Sequence, residues 1–472
     1  MANFHSVTPE IAEQLKAIVG EKRFQYGDKV KEDYTHDEMP IYGKFAPEAV
    51  CEVESTEEVA AIMKLCNEYC IPVTPRGAGT SLTGSSVPIH GGVVVCTARM
   101  NKILGYDIPN MAVTVQPGIL LQDLAADVEK HGLYYPPDPG SKTSTVGGNV
   151  ATNAGGMRAV KYGSTRDYVL ALTVVLANGE VMHVGKTVCK SSTGYSLLNL
   201  MVGSEGTLGI ITEMTMKLVA KPSMNVSVLL PFESLDTCIA TVPKIRIANL
   251  DPQSIEFMGE DIVRSSSDFT GKPIFPTEYA KKNVAASILV TFVGESEDEL
   301  YEKMEKLDAL ASECGAIDTL VVDTSTLKTE VWAARSAFLS AIEGDTKLLD
   351  ELDVVVPVDQ IAPYLEFVRK TGEEVGLTIR NFGHAGDGNL HIYACSNDLE
   401  LDEFWRRDKI VMAKCYTECH RIGGQLSGEH GIGWAKKEYL EESVGTVAYE
   451  MMKAIKNVFD PKGILNPGKV CS

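Results

Sequence analysis

Four stretches concentrate glycine with small polar residues: TPRGAGTSLTGSS (74–86), PPDPGSKTSTVGGNVATNAGG (136–156), KYGSTRDY (161–168) and GSEGTLGIIT (203–212). Glycine lets a backbone approach a ligand closely and adopt positive φ. Successive backbone N–H groups can then cradle phosphate oxygens. One such stretch is a turn; four between residues 74 and 212 point to a large ligand held along its length. None is GxGxxG and none is GxxxxGK[ST], so neither a nicotinamide fingerprint nor a triphosphate loop is supported.

Around these stretches, residues 45–221 alternate short strands with helices. VVVCTA (93–98) and MAVTVQPG (111–118) read as strands, and residues 168–185 as a hairpin turning at Asn178-Gly179. Residues 8–20 predict an amphipathic helix. From 222 the rhythm changes to three strand–helix–strand units. They begin at VSVLLPF, ASILVTFVG and LDVVVP and end near SIEFMG, DTLVVD and GLTIRNF. This predicts an α+β domain with an antiparallel sheet and helices on one face. The expected segments are a helical N-terminal piece (1–44), a ligand-binding domain (45–221), a cap (222–410) and a helical C-terminal segment (411–472) returning to the first domain.

The 472 residues carry a net charge of −20, which disfavours nucleic acid and anionic lipid as partners. An anionic substrate then needs local cations. The start, MANFHSVTPEIAEQLKAIVG, lacks the basic and long apolar regions of a signal peptide. No apolar run approaches about 18 residues, so no membrane span is expected. The eleven cysteines form no CxxC pair or ferredoxin-type run. Cys66/Cys70 and Cys415/Cys419, each spaced by four, read as buried thiols in a reducing cytoplasm.

The second half holds GHAGDGNLH (383–391) and GQLSGEHGIG (424–433). Asp-Gly between strand-like segments signals a two-residue hairpin turn. With Asp387 and Gly388 at its centre, His384 faces His391 on one side of the sheet, close enough to share a cation. A divalent site needs a third ligand, and the Glu429-His430 pair supplies candidates. Two nitrogens and a carboxylate suit zinc, iron(II) or manganese. These residues alone would permit a metal-dependent hydrolase, and the glycine loops alone a non-catalytic binding subunit.

PRGAGTSLTG, GGNVATNAGG and GSEGTLGIIT resemble the FAD-binding domain of the vanillyl-alcohol oxidase superfamily. HxGDGNxH and SGEHGxG resemble the signature pair of the FAD-linked oxidase C-terminal domain, the family of D-lactate, glycolate and D-2-hydroxyglutarate dehydrogenases. The resemblance spans about residues 40–470. It implies a two-part FAD-binding domain plus a cap domain. It implies that Arg76, Gly77, Ala78, Gly79, Thr80 and Ser81 wrap the pyrophosphate. Gly147, Gly148, Thr152, Gly155 and Gly156 would lie along the flavin, and Glu205 and Ile211 near the adenosine half or the ring edge. Thr80 and Ser81 stand where many relatives carry a flavin-linking histidine, so dissociable FAD is expected.

By the same resemblance His384, His391 and Glu429 would bind the metal, and His430 would be the general base. VWAARSAF (331–338) matches the family's W-x-x-R segment, which makes Arg335 the clamp for a substrate carboxylate, through a guanidinium fork. The implied reaction is oxidation of a D-2-hydroxy acid, D-lactate to pyruvate foremost, with hydride transfer to flavin N5. Glycolate and D-2-hydroxyglutarate are the alternatives. Members acting on D-2-hydroxyglutarate tend to carry a lysine just before the strand that here reads DVVVP. This chain has Asp350, Glu351 and Asp353 there, with Lys347 the only nearby substitute, which favours a monocarboxylate. Tyr393 stands where some members have asparagine. Reduced flavin needs an acceptor, expected to be a protein such as an electron-transfer flavoprotein, or a quinone.

Overall fold

The computed structural model describes residues 4–472; residues 1–3 of the expected N-terminal segment lie outside the described residues. The chain divides into two compact units. The first contains residues up to 155, 164–221 and 429–472, and the second 156–163 and 222–428. The break expected at 410 falls inside the helix Leu401–Arg421, and the chain joins the first unit from Glu429. Gly155 and Gly156 fall in different units.

In the first unit the predicted opening helix is Pro9–Val19, capped by Thr8, whose side chain accepts from the Ile11 N–H. Its Leu15 and Val19 are buried with Ile62, Met63 and Cys66 of the helix Thr56–Tyr69. They pack on a sheet ordered Phe24–Tyr26, Ala49–Glu52, Val93–Cys96 and Val73–Arg76, the last three strands parallel. A second sheet is antiparallel throughout: Ile103–Asp107, Ala112–Val115, Ile210–Lys217, Val169–Val175 and Val181–Gly185. The hairpin predicted over 168–185 is present, with Val175 opposite Val181 and residues 176–180 as its connection. Gly179 there has φ +82°, and a Cβ would lie 2.7 Å from the Ala60 carbonyl oxygen, so the position requires glycine. Cys66, Cys415 and Cys419 are buried thiols, and Cys70 is half-buried in a left-handed helix cap.

The second unit is built on a seven-stranded antiparallel sheet. Its order is Leu320–Val322, Met224–Phe232, Ala286–Gly294, Ser254–Gly259, Thr378–His384, Asn389–Ser396 and Leu348–Val355. The α+β expectation holds, and the three strand–helix–strand units are where the sequence puts them. The helices, however, cover both faces. Gly372 of the helix Ile361–Val375 lies against Ile379, and the Tyr364 hydroxyl donates to Cys415 O of the helix Leu401–Arg421 at 3.0 Å. The opposite face carries Leu229, Met258, Leu289, Phe382 and Tyr393. There Ile262, Val331, Ala334 and Phe338, from three shorter helices, close over it. Two apolar sheet faces must both be covered. Among the described residues, no helix is long and apolar enough to cross a membrane.

Candidate functional site

In the second unit, the GHAGDGNLH hairpin differs from its expected register. His384 faces Asn389, and His391 faces Phe382. A four-residue connection replaces the two-residue turn. Gly386 N–H donates to Ile255 O at 3.1 Å, and Gly388 N–H to His384 O at 3.1 Å. The Asp387 carboxylate accepts from the Asn389 N–H at 3.1 Å. The slip is two residues, an even number, so both imidazoles keep one face of the sheet. They meet as diagonal neighbours, within reach of long side chains. Their Nε2 atoms are 3.3 Å apart.

Two carboxylates that the sequence reading did not assign orient these rings. His384 Nδ1 lies 2.8 and 2.9 Å from the oxygens of Glu256, which is directly opposite in the sheet and fully buried. A carboxylate only accepts, so Nδ1 carries a proton. His391 Nδ1 lies 3.5 Å from Glu351 Oε1, beyond a hydrogen bond, and that oxygen accepts from the Tyr393 hydroxyl at 2.6 Å. Burial pushes Glu256 up, but His384 and Arg335 outweigh it and hold the carboxyl below its ordinary range. Burial, then the charge of Glu351, pushes the Tyr393 hydroxyl far above its ordinary value, so it remains a donor.

The same Glu256 anchors Arg335. Both Nε (3.0 Å) and Nη2 (2.5 Å) donate to its Oε2. Arg335 is on the helix Ser325–Ser336, whose Val331, Ala334 and Arg335 form the buried stripe at helical spacing. Its guanidinium lies over Phe338 and Phe382, 5.1 and 4.8 Å from the ring centroids. The Nε–Nη2 edge is thus engaged by the protein. The Nη1 side has no protein acceptor among the described residues.

Lys347 is not brought to this cluster. Its ammonium is exposed and pairs with Glu400 at 3.6 Å. It lies six residues along the strand from Asp353, the partner of His391, or roughly 20 Å at strand rise. Asp353 instead fixes the chain that leads to Glu429. Its Oδ2 accepts from Ser427 Oγ at 2.7 Å and from the Gly428 N–H at 3.1 Å, while Oδ1 accepts from Asn389 Nδ2 at 2.7 Å.

In the first unit, the residues read as a cofactor cradle form an open turn after the strand Val73–Arg76. Among the described residues, the backbone N–H groups of Gly77, Ala78, Gly79, Thr80 and Ser81 donate to no protein acceptor. Five such donors in succession fit an anionic ligand, since backbone donors without a partner are costly. The Arg76 side chain faces the protein, donating to His36 O at 2.8 Å and Asp33 O at 2.6 Å. Gly77 packs on Thr145, where a Cβ would lie 2.2 Å from Oγ1. Thr145 caps the helix Val146–Thr152, which carries Gly147, Gly148 and Thr152. Ile211 is buried within its strand.

Glu205 is buried in the same unit. Its buried carboxylate accepts from the Ile432 and Gly433 N–H groups, each at 2.8 Å, and so holds the loop of Glu429 and His430. Within that loop, His430 Nε2 is 3.4 Å from Glu429 Oε1.

Residues 47–185 match the family model for an FAD binding domain, and residues 221–470 that for the C-terminal domain of FAD linked oxidases. The chain belongs to the FAD-linked oxidase family and is a flavin-dependent oxidoreductase. It is 54% identical over 468 residues to a protein of Anaerostipes hadrus named D-lactate dehydrogenase, covering 99% of this chain and 98% of that one. It is 37% identical to glycolate oxidase subunit GlcD of Bacillus subtilis (98% and 97% covered). In fold it resembles p-cresol methylhydroxylase (TM-score 0.81, 18% identity, 98% and 96% covered). It also resembles alkyldihydroxyacetonephosphate synthase (TM-score 0.76, 21% identity, 98% and 87% covered).

Proposed function

We propose that the chain oxidises a D-2-hydroxy acid, D-lactate to pyruvate foremost, using dissociable FAD and one divalent metal. The observation that carries this reading is the His384–His391 pair. Two imidazole nitrogens on one ion at about 2.1 Å, with a near-tetrahedral angle, lie about 3.4 Å apart. The observed 3.3 Å fits that, and His384 is backed by a hydrogen-bonded carboxylate, as metal-bound imidazoles are, with the Glu351 carboxylate 3.5 Å from His391. Glu429 is the proposed third ligand, one peptide bond beyond the anchored Gly428. The name of the 54%-identical relative supports D-lactate as substrate.

When bound, FAD supplies the two-electron acceptor, and a divalent zinc, iron or manganese supplies Lewis acidity that lowers a hydroxyl pKa. Gly77 to Ser81 would hold the pyrophosphate, and Gly147, Gly148, Thr152, Gly155 and Gly156 would lie along the flavin. Arg335 holds the substrate carboxylate by its Nη1 side, fixed by Glu256 and by the two phenylalanine rings. His430 takes the hydroxyl proton at Nε2, a task suited to a neutral imidazole. Phe338, Phe382 and Tyr393 make an apolar wall beside Arg335 that suits a methyl side chain better than a second carboxylate. Electrons would leave to a protein such as an electron-transfer flavoprotein, since the sequence has no nicotinamide fingerprint. Eleven free thiols support a reducing compartment, and we place the protein in the cytoplasm.

The test is anaerobic mixing of the yellow protein with D-lactate, glycolate and D-2-hydroxyglutarate. D-lactate is expected to bleach the flavin fastest, and no bleaching by any of them overturns the reading. His430→Ala is expected to retain FAD and lose bleaching by about a hundredfold or more. A colourless protein that takes up no FAD favours the hydrolase instead.

A further inference from the structure

The phosphate-type cradle and the His430 loop, more than three hundred residues apart in sequence, are joined inside the first unit by a short strap. Ser81 closes the cradle, and its Oγ accepts from the N–H groups of Thr83 (3.2 Å) and Ser85 (3.3 Å). Gly84 N–H donates to Asp37 at 2.8 Å. Thr83 is fully buried. Its carbonyl accepts from the N–H groups of Trp434 (2.9 Å) and Ala435 (3.1 Å), and its hydroxyl lies 3.4 Å from His430 O. The two preceding amides, Ile432 and Gly433, donate to Glu205. Four successive amides just past His430 are therefore held by two buried residues, Thr83 and Glu205.

The contact leaves no slack. A Cβ on Gly433 would lie 2.2 Å from Thr83 O, and one on Gly431 2.8 Å from Glu205 Oε1. Glu205 has φ +50°, a conformation that costs a non-glycine residue energy and persists only where its surroundings enforce it. Asn466 Nδ2 ties the strap to Glu205, donating to Ser85 O at 2.9 Å and Glu205 O at 2.8 Å.

We propose that the strap of residues 81–85 couples the cradle Gly77–Ser81 to the loop carrying His430, so that a nucleotide pyrophosphate seated on the first orders the second. Thr83 and Glu205 are the positioning residues. The inference rests on reading the cradle as the FAD site and His430 as the base. Ordering two segments that share one strap lowers the entropy left to lose in the second, which is a coupling between sites.

The experiment is hydrogen exchange on the full chain with and without saturating FAD. The amides of Ile432, Gly433, Trp434 and Ala435 are expected to slow by about tenfold or more on loading, while the core strand Val93–Cys96 is unchanged. Binding of FAD with no change in those amides overturns the inference and leaves the flavin reading standing. Failure to bind FAD overturns both. In Glu205→Gln an amide can accept from only one of the two N–H groups. That variant is expected to bind FAD, lose the slowing at Ile432 and Gly433, and reduce flavin with D-lactate about tenfold more slowly at unchanged KM. Wild-type exchange and rate in Glu205→Gln, alongside an inactive His430→Ala, remove Glu205 from the role. An active His430→Ala removes the base itself. Thr83→Val, which keeps the volume, reads the His430 carbonyl contact separately.

Discussion

Glu256 is the residue on which the second unit's polar cluster turns, because one carboxylate holds both a histidine and an arginine. In Glu256→Gln the negative charge facing His384 and Arg335 is lost, and an NH2 donor replaces one of the two oxygens that lie against His384 Nδ1. Divalent-metal affinity is expected to fall about 10–100-fold, with KM for the hydroxy acid rising as well. Metal titration beside steady-state kinetics checks it; unchanged metal affinity would show that Glu256 does not orient a ligand. The histidines, Arg335 and His430 were legible because short motifs carry them. Glu256 was not, because it lies far away in a strand that reads as an apolar run, and Glu351 was read only as one of the acids beside DVVVP, not as a neighbour of His391. The available signal was a lone ionisable residue inside such a run, SIEFMG, since buried carboxylates are rarely found without a partner.

At the scale of elements, the hairpin shows what a pattern conveys and what it leaves out. Side-chain alternation put both imidazoles on one face, and that parity survives the changed register. The connection length did not follow from Asp-Gly, because a tertiary bond from Gly386 to Ile255 draws the chain into a longer turn. Gly388 closes that turn at φ +87°, and a Cβ there would lie 2.0 Å from Val356 O. Gly388→Ala is expected to cost about 2 kcal/mol or more, because backbone must move to admit the methyl group. Thermal unfolding measures it, and metal content should fall in parallel; an unshifted Tm would mean the turn relaxes freely. Lys347 failed for an element-scale reason: nearness in sequence along a strand still means distance in space.

For the molecule as a whole, strand rhythm made the α+β class and the three strand–helix–strand units readable, while the pairing order of strands was a matter of tertiary contact. Buried acids in the first unit set a pH dependence. Burial pushes Glu205 up to about 7 and Asp37 up to about 6, against backbone N–H bonds that pull each back. Lys436 and Lys469 also lower Glu205, and Arg76 lowers Asp37. An acid held more tightly protonated in the folded state stabilises it at low pH and loses that contribution as pH rises through the folded value. Tm is therefore expected to fall between about pH 5 and 7, and Glu205→Gln to flatten that slope. An identical slope in the variant would assign it to other groups.

The first unit is closed by the end of the chain: Val73 N–H donates to Ile464 O, and Asn466 N–H to Val73 O. The buried Lys456 ammonium joins Thr207 O, Leu465 O and Asp460. During synthesis, domains generally fold as units from the N-terminal end. Here the strand Val73–Arg76 must wait for residues 464 and 466, with the whole second unit emerging from the ribosome in between. The first unit is therefore expected to gain these closing hydrogen bonds only after the second has been made.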